Sequence, residues 1–299
     1  MNIKLFKKYR GAYLLLLPAI LFFIIFSYIP MSGLVIAFKD FRLGLGIIGS
    51  PWCGLENFQV LFENANFIRV IRNTLVISFL KLFFVLVVPI ILALMLNEVR
   101  LSAFKKGIQT LTFIPHFISW VILSGIFLML FGIDGPLNKL IVSSGGDPIG
   151  FMTSDVWFIT IIIATGVWQT AGYTAVIYLA AISGINPNLY DAASVDGANR
   201  WQQTWYITLK ALQPTIIIMF ILSVGGVLNS GFDQIFNMYN PQVYDVGDIL
   251  GTWLIRRFEV LDFAGAAAGG LLQSVLGMFL VCLTNSLSKR FAGKESGLW

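Results

Sequence analysis

The sequence predicts an all-α membrane protein with about six transmembrane helices. Three observations predict it. Of 299 residues, 57% are hydrophobic and only 12% are charged, whereas soluble domains carry about 25% charged residues. Mean hydropathy is +0.82, more apolar character than a water-soluble chain of this length can bury. The apolar residues also gather into runs near the roughly 20 residues that a bilayer-crossing helix needs.

The first run, 12–38, follows the basic stretch MNIKLFKKYR. At roughly 27 residues it exceeds the 7–15 of a signal-peptide core, and no A-x-A site closes it, so it reads as a retained span. Further runs fall at 73–96, 108–131, 156–182, 214–236 and 263–287. The fifth is interrupted by Gly225, Gly226, Asn229 and Asp233. No repeat and no low-complexity linker divides the chain, which reads as one membrane domain over 1–299.

Lys and Arg set the orientation, because they accumulate on the cytoplasmic side. With both termini inside, Lys4, Lys7, Lys8, Arg10, Arg100, Lys105, Lys106, Arg200, Lys210, Lys289, Arg290 and Lys294 all face the cytoplasm. These are 12 of the 20 basic residues. The net charge of +5 therefore reflects loop bias rather than a nucleic-acid surface. Cys53 and Cys282 lie far apart, with neither disulfide nor metal-site spacing.

One inside segment is unusual. YDAASVDGANRWQQTWYITLKALQP, residues 190–214, is polar and helix-compatible between two apolar runs. Asn186–Pro187 supplies a cap and a first-turn proline. Gly197 allows a bend that other residues resist. A second helix would then run toward Pro214. The expected product is a helix–Gly–helix elbow at the membrane surface, spanning 185–213. Ala192 and Ala193 would admit a close backbone, and Leu189, Trp201, Trp205 and Ile207 would anchor the elbow. With no partner, the same residues would be a plain amphipathic helix pair.

The spacing DAAxxxGxxxxxxxxxIxL resembles the cytoplasmic EAA motif of binding-protein-dependent ABC importer permeases. Asp191 replaces the usual Glu and keeps its charge; Lys210 replaces the usual Pro, leaving Pro214 as the expected break. YIPMSGLVIAFKDF, GSPWCGLENF, NTLVISFLK, LALMLNEVR, FIPHFISW and FDQIFNMYNP are similar to segments of the oligosaccharide and polysaccharide branch of that family. The resemblance implies a type I ABC importer permease fold in the cell membrane. It implies that Asp191, Ala192, Ala193, Asp196 and Gly197 couple to an ATPase. It also implies a second, non-identical permease, two ATPase subunits and an extracytoplasmic binding protein that delivers an oligosaccharide. This chain would hold no cofactor, ATP and Mg being bound by the ATPase.

The sequence has no G-x-x-x-x-G-K-[ST] phosphate loop, no H-E-x-x-H and no G-x-S-x-G, so an enzyme is not expected. The alternative is a self-sufficient secondary transporter or channel, which would need ionisable groups at membrane depth. Lys81 is the main intramembrane charge, able to pair with Asp233, to face a wet pathway, or to snorkel. His116 follows Pro115 and would satisfy carbonyls that the proline frees. Sugars call for hydrogen-bonding groups beside aromatic faces. Trp168, Gln169, Tyr173, Asn229, Asp233, Gln234 and Asn237 are the pathway candidates; interfacial aromatic belts and interhelical amides are the ordinary alternative.

Overall fold

The structure is a computed structural model describing residues 9–229 and 231–292. Lys4, Lys7, Lys8 and Lys294, used above for orientation, lie outside the described residues, as does the side chain of Arg290. Apart from one bridge between Lys39 and Trp52, regular structure among the described residues is helical. The helices used below are α1 Arg10–Phe38, α2 Glu56–Glu63, α3 Ala65–Glu98, α4 Ser102–Phe113, α5 Trp120–Phe131, α6 Pro136–Ser143, α7 Asp155–Ser183, α8 Asn188–Val195, α9 Arg200–Gly225, α10 Phe232–Met238, α11 Leu250–Glu259 and α12 Phe263–Ala292. Six stretches are long and apolar enough to cross a membrane: α1, α3, α5 with α6, α7, α9 and the greater part of α12.

Three boundaries differ from the sequence expectation. The run 108–131 is not one helix. α4 stops at Phe113, Ile114–Phe117 form a 3₁₀ turn, and Ile118 and Ser119 are extended before α5 begins. Pro115 is the cause, since it lacks an N–H and its ring collides with the preceding turn. The fifth run is not 214–236. α9 ends at Gly225, Val227–Asn229 form a 3₁₀ turn, and Gly231 at φ +72° opens α10. Only a residue without Cβ adopts that backbone freely. Finally, Pro214 does not end the second elbow helix; it lies inside α9. The irregularity falls earlier, in a π turn over Thr204–Thr208 where the Leu209 N–H donates to the Thr204 carbonyl.

The chain forms two compact units, one from residues up to Asn64 together with Leu254–Leu272, the other from Ala65–Trp253 together with the chain from Gln273 onward. In the first, a loop is tied by two polar side chains. Buried Lys39 donates to the carbonyls of Ile47 and Ser50 at 2.7 and 3.1 Å. Asn57 Nδ2 donates to those of Ala37 and Lys39 at 2.9 and 3.0 Å. This explains the polar pattern of GSPWCGLENF as loop closure.

In the second unit, α7 is the centre and carries the small residues that let helices approach. A Cβ at Gly172 would lie 2.0 Å from the Thr112 carbonyl oxygen, so α4 and α7 touch backbone to backbone. Apolar packing gathers at two levels. One cluster includes Ile77, Phe158, Ile162, Ile235 and Met238; the other includes Ala93, Tyr178, Ile182 and Leu212.

Candidate functional site

Two polar assemblies lie in the second unit: an elbow between α7 and α9, and a charged break between α9 and α10. The elbow begins at Asn186, whose Oδ1 accepts from the Asn188 N–H at 3.0 Å. α8 ends in a Schellman turn. The Gly197 N–H donates to the Ser194 carbonyl at 3.1 Å and the Ala198 N–H to the Ala193 carbonyl at 2.8 Å. Gly197 is the left-handed residue, φ +81°. The next helix starts at once with a reciprocal capping box. Asn199 Oδ1 accepts from the Gln202 N–H at 2.9 Å, and Gln202 Oε1 accepts from the Asn199 N–H at 2.8 Å.

Side chains then brace the bend. Gln203 Nε2 donates to Ser194 Oγ at 2.9 Å, and the hydroxyls of Tyr190 and Thr208 share a hydrogen bond at 2.9 Å. Arg200 forms an ion pair of 2.6 Å with Glu98, at the end of α3. A cavity of about 420 Å³ lies here, lined by Glu98, Arg100, Tyr190, Arg200, Gln203 and Thr208 among others. Asp191, Ala192, Asp196 and Gly197 are exposed and Ala193 half-buried. Leu189, Val195 and Trp201 stand out beside them, Val195 at 89% exposure. A stiff ridge with acidic and apolar side chains suits docking to another protein. The Asn199-x-x-Gln202 box was readable in sequence as a helix start, whereas the Glu98–Arg200 pair had no local signal.

The second assembly surrounds Lys81. Gln234 on α10 is fully buried. Its Nε2 donates to the Ile162 carbonyl at 2.8 Å and to Thr165 Oγ1 at 2.7 Å. Both donations fix the amide so that Oε1 accepts from Lys81 Nζ. Two glycines make room for the lysine. A Cβ at Gly166 would come within 2.8 Å of Lys81 Cε, and one at Gly231 within 2.3 Å of Nζ. Ser78 Oγ donates to the Val227 carbonyl and ties α3 to the broken backbone. Asp233 is exposed and forms no ion pair among the described residues, so the pairing with Lys81 considered from sequence is replaced by an amide.

The pathway candidates separate. Gln234 is spent inside the protein and positions Lys81. Gln169 Nε2 donates to the Ile118 carbonyl at 3.3 Å, so it, and not His116, serves a carbonyl at the proline break. The His116 ring instead stacks on Tyr173, centroids 4.2 Å apart, and its buried Nδ1 meets no hydrogen-bond partner among the described residues. Trp168 packs edge-on against Phe127. Five residues apart on α7, Trp168 and Tyr173 point about 140° away from each other and form no common platform. Asn237 Nδ2 bonds back to the Asp233 carbonyl at 2.7 Å, while Asn229 and Asp233 remain exposed.

An all-helical membrane body with a self-braced elbow is the architecture of an importer's membrane subunit. The chain belongs to the family of binding-protein-dependent transport system inner membrane components, which matches residues 85–293. It is 42% identical to the polygalacturonan/rhamnogalacturonan transport system permease protein YteP of Bacillus subtilis (strain 168), over 99% of this chain and 92% of the relative. Protein LplB of the same organism is 40% identical, over 95% and 90%. Among solved structures, a bacterial alginate ABC transporter, in complex with an alginate pentasaccharide-bound periplasmic protein, contains a chain 38% identical to this one. The match covers 96% of each chain at a TM-score of 0.89. A related structure, of a bacterial ABC transporter involved in the import of the acidic polysaccharide alginate, matches at a TM-score of 0.90.

Proposed function

We propose that this chain forms one membrane-spanning half of an ATP-driven importer for an oligosaccharide, with residues 1–299 acting as one permease domain. Its partners are a second, non-identical permease, two ATPase subunits that supply the ATP site, and an extracytoplasmic binding protein that delivers the sugar. Both termini and the elbow face the cytoplasm. Asp191, Ala192, Ala193, Asp196 and Gly197 dock to the ATPase, and closure of the ATPase pair moves the spans between inward and outward access. The observation that carries this reading is the elbow, an exposed ridge rigid enough to transmit force because caps, side chains and an ion pair brace its bend. The near full-length likeness to a polygalacturonan/rhamnogalacturonan permease and to alginate importer chains supports an oligosaccharide cargo of that chemical kind.

Reconstitution tests the reading. The chain alone in liposomes is expected to move no oligosaccharide under an imposed proton or sodium gradient. Adding the second permease, the ATPase, the loaded binding protein and ATP is expected to restore uptake. Gradient-driven uptake by the chain alone would overturn the importer reading in favour of a self-sufficient carrier.

A further inference from the structure

The polar cavity beside the elbow lies where two spans end. α3 stops at Glu98 and α9 starts at Arg200, and both residues line it together with Asn97, Arg100, Tyr190 and Thr204 among others. Two guanidiniums against one carboxylate leave this lining net positive. The Glu98 carboxylate is taken by Arg200 at 2.6 Å. The Arg100 guanidinium forms no ion pair and no hydrogen bond among the described residues. The side chains of Asn97 and Thr204 likewise meet no hydrogen-bond partner there. Unserved donors therefore line a space of about 420 Å³, large enough for a small polar ligand.

The surroundings say which anion fits. Cavity and docking ridge lie on different sides of α8. Tyr190 lines the cavity, and Val195, five residues further along the ridge, points about 140° away from it. A protein seated on the ridge therefore need not cover the cavity. Trp201, Trp205 and Tyr206 are exposed next to Arg200, and such aromatic residues settle at headgroup level. Ile91 and Met95, one turn apart on α3, are exposed and form an apolar track that leads toward Glu98. Anionic lipids of the cytoplasmic leaflet attract basic residues at span ends, and basic pockets between spans hold their headgroups.

We propose that this cavity holds the headgroup of an anionic phospholipid, with Arg100 as its main ligand. The phosphate would accept a forked bond from the Arg100 guanidinium. Glu98 competes with it for Arg200, and the acyl chains would run along Ile91 and Met95. The inference goes beyond the import reading and shares with it only the cytoplasmic placing of the elbow.

The test is a lipid titration. The whole transporter, delipidated in mild detergent, is titrated with dioleoylphosphatidylglycerol or dioleoylphosphatidylcholine, and bound lipids are resolved by native mass spectrometry. The readout is the ratio of the two affinities for the first lipid bound. The native complex is expected to favour phosphatidylglycerol about fivefold, the range of one cation at an anionic membrane surface. Arg100→Gln should bring the ratio near one. Glu98→Gln frees Arg200 and should raise the ratio above the native value, a gain that misfolded protein cannot produce. Excess glycerol 1-phosphate should leave the bound lipid in place. No preference in the native complex, an unchanged ratio in Arg100→Gln, or no gain in Glu98→Gln overturns the lipid site. Should Arg100→Gln fail to assemble, Glu98→Gln decides alone. Displacement by glycerol 1-phosphate would assign the cavity to a soluble phosphate and overturn the lipid. ATP-driven sugar uptake, measured in parallel in liposomes, would leave the importer reading standing in any of these events.

Discussion

The elbow and the α9–α10 break are both helix–glycine–helix bends, yet they are held in opposite ways. Apart from the Arg200–Glu98 ion pair, 102 residues apart, the elbow's caps and braces run between residues 2 to 18 apart in the chain. Its glycine faces open space: beyond its own chain neighbours, no heavy atom of the described residues lies within 4 Å of the place a Gly197 Cβ would occupy. The break depends on distant partners, with Lys81 and Gln234 separated by 153 residues and Gln234 and Thr165 by 69. There the glycine is crowded, a Gly231 Cβ falling 2.3 Å from Lys81 Nζ. The elbow bends because its own sequence says so. The break bends because three spans meet at it, and it should therefore be the costlier place to perturb.

The sharpest test of that contrast is Gln234→Leu. It removes the Lys81 acceptor and the donors to Ile162 and Thr165 in a fully buried site. A buried group left unsatisfied costs about 1–3 kcal/mol, although hydrogen bonds in membrane bundles average nearer 0.6 kcal/mol. With three groups affected, a loss of about 2 kcal/mol is expected in detergent-to-SDS unfolding. A loss below about 0.5 kcal/mol would mean that the break is held by apolar packing alone, and the contrast would collapse.

The same distinction explains what the sequence reveals. Hydropathy alone identifies six spans, because bilayer burial is a long-window property. The elbow is readable nearly residue by residue: Asn186 caps, Gly197 turns, and Asn199-x-x-Gln202 restarts the helix within a few positions. The role of Gln234 is not readable. Its amide resembles any polar group near a span end, and only the fold brings Ile162, Thr165 and Lys81 to it. Gln169 takes the carbonyl-serving role expected of His116 for the same reason, since which of them reaches the carbonyls near Pro115 depends on how α7 lies against the break. Pro214 misleads in the other direction. A proline that would stop a soluble helix is tolerated in a span, where neighbouring groups can take up the freed carbonyl.

Gly197→Val comes next in size. A β-branched residue at φ +81° costs about 1–2 kcal/mol, concentrated in the Schellman turn rather than spread over the body. The spans should unfold nearly as in the native protein. Stimulated ATP hydrolysis by the assembled complex should fall severalfold, with Gly197→Asn falling less because Asn tolerates the left-handed region. Native stimulation in the valine variant would remove the elbow from the coupling path. A global stability loss larger than that of Gln234→Leu would reverse the comparison between the two bends.

The smallest effect is expected at the ion pair that joins the elbow to α3. Arg200 and Glu98 meet at 2.6 Å, but their side chains are 70% and 52% exposed. Exposed pairs contribute about 0–1 kcal/mol, and salt screens them. Glu98→Gln keeps the shape and removes the charge, so it should cost at most about 0.5 kcal/mol, and nothing measurable in 1 M salt. A double-mutant cycle with Arg200→Gln, read by unfolding in low and high salt, isolates the pair from the other contacts of each residue. Suppose the coupling energy instead exceeds about 2 kcal/mol and persists in salt when the cycle is repeated in the assembled complex. The pair would then be shielded from water by a partner, and the elbow would be joined to α3 by a long-range bond of the kind that holds the break. A small, screened value in both settings would leave the elbow as a locally encoded device, tied to the spans only through α7 and α9.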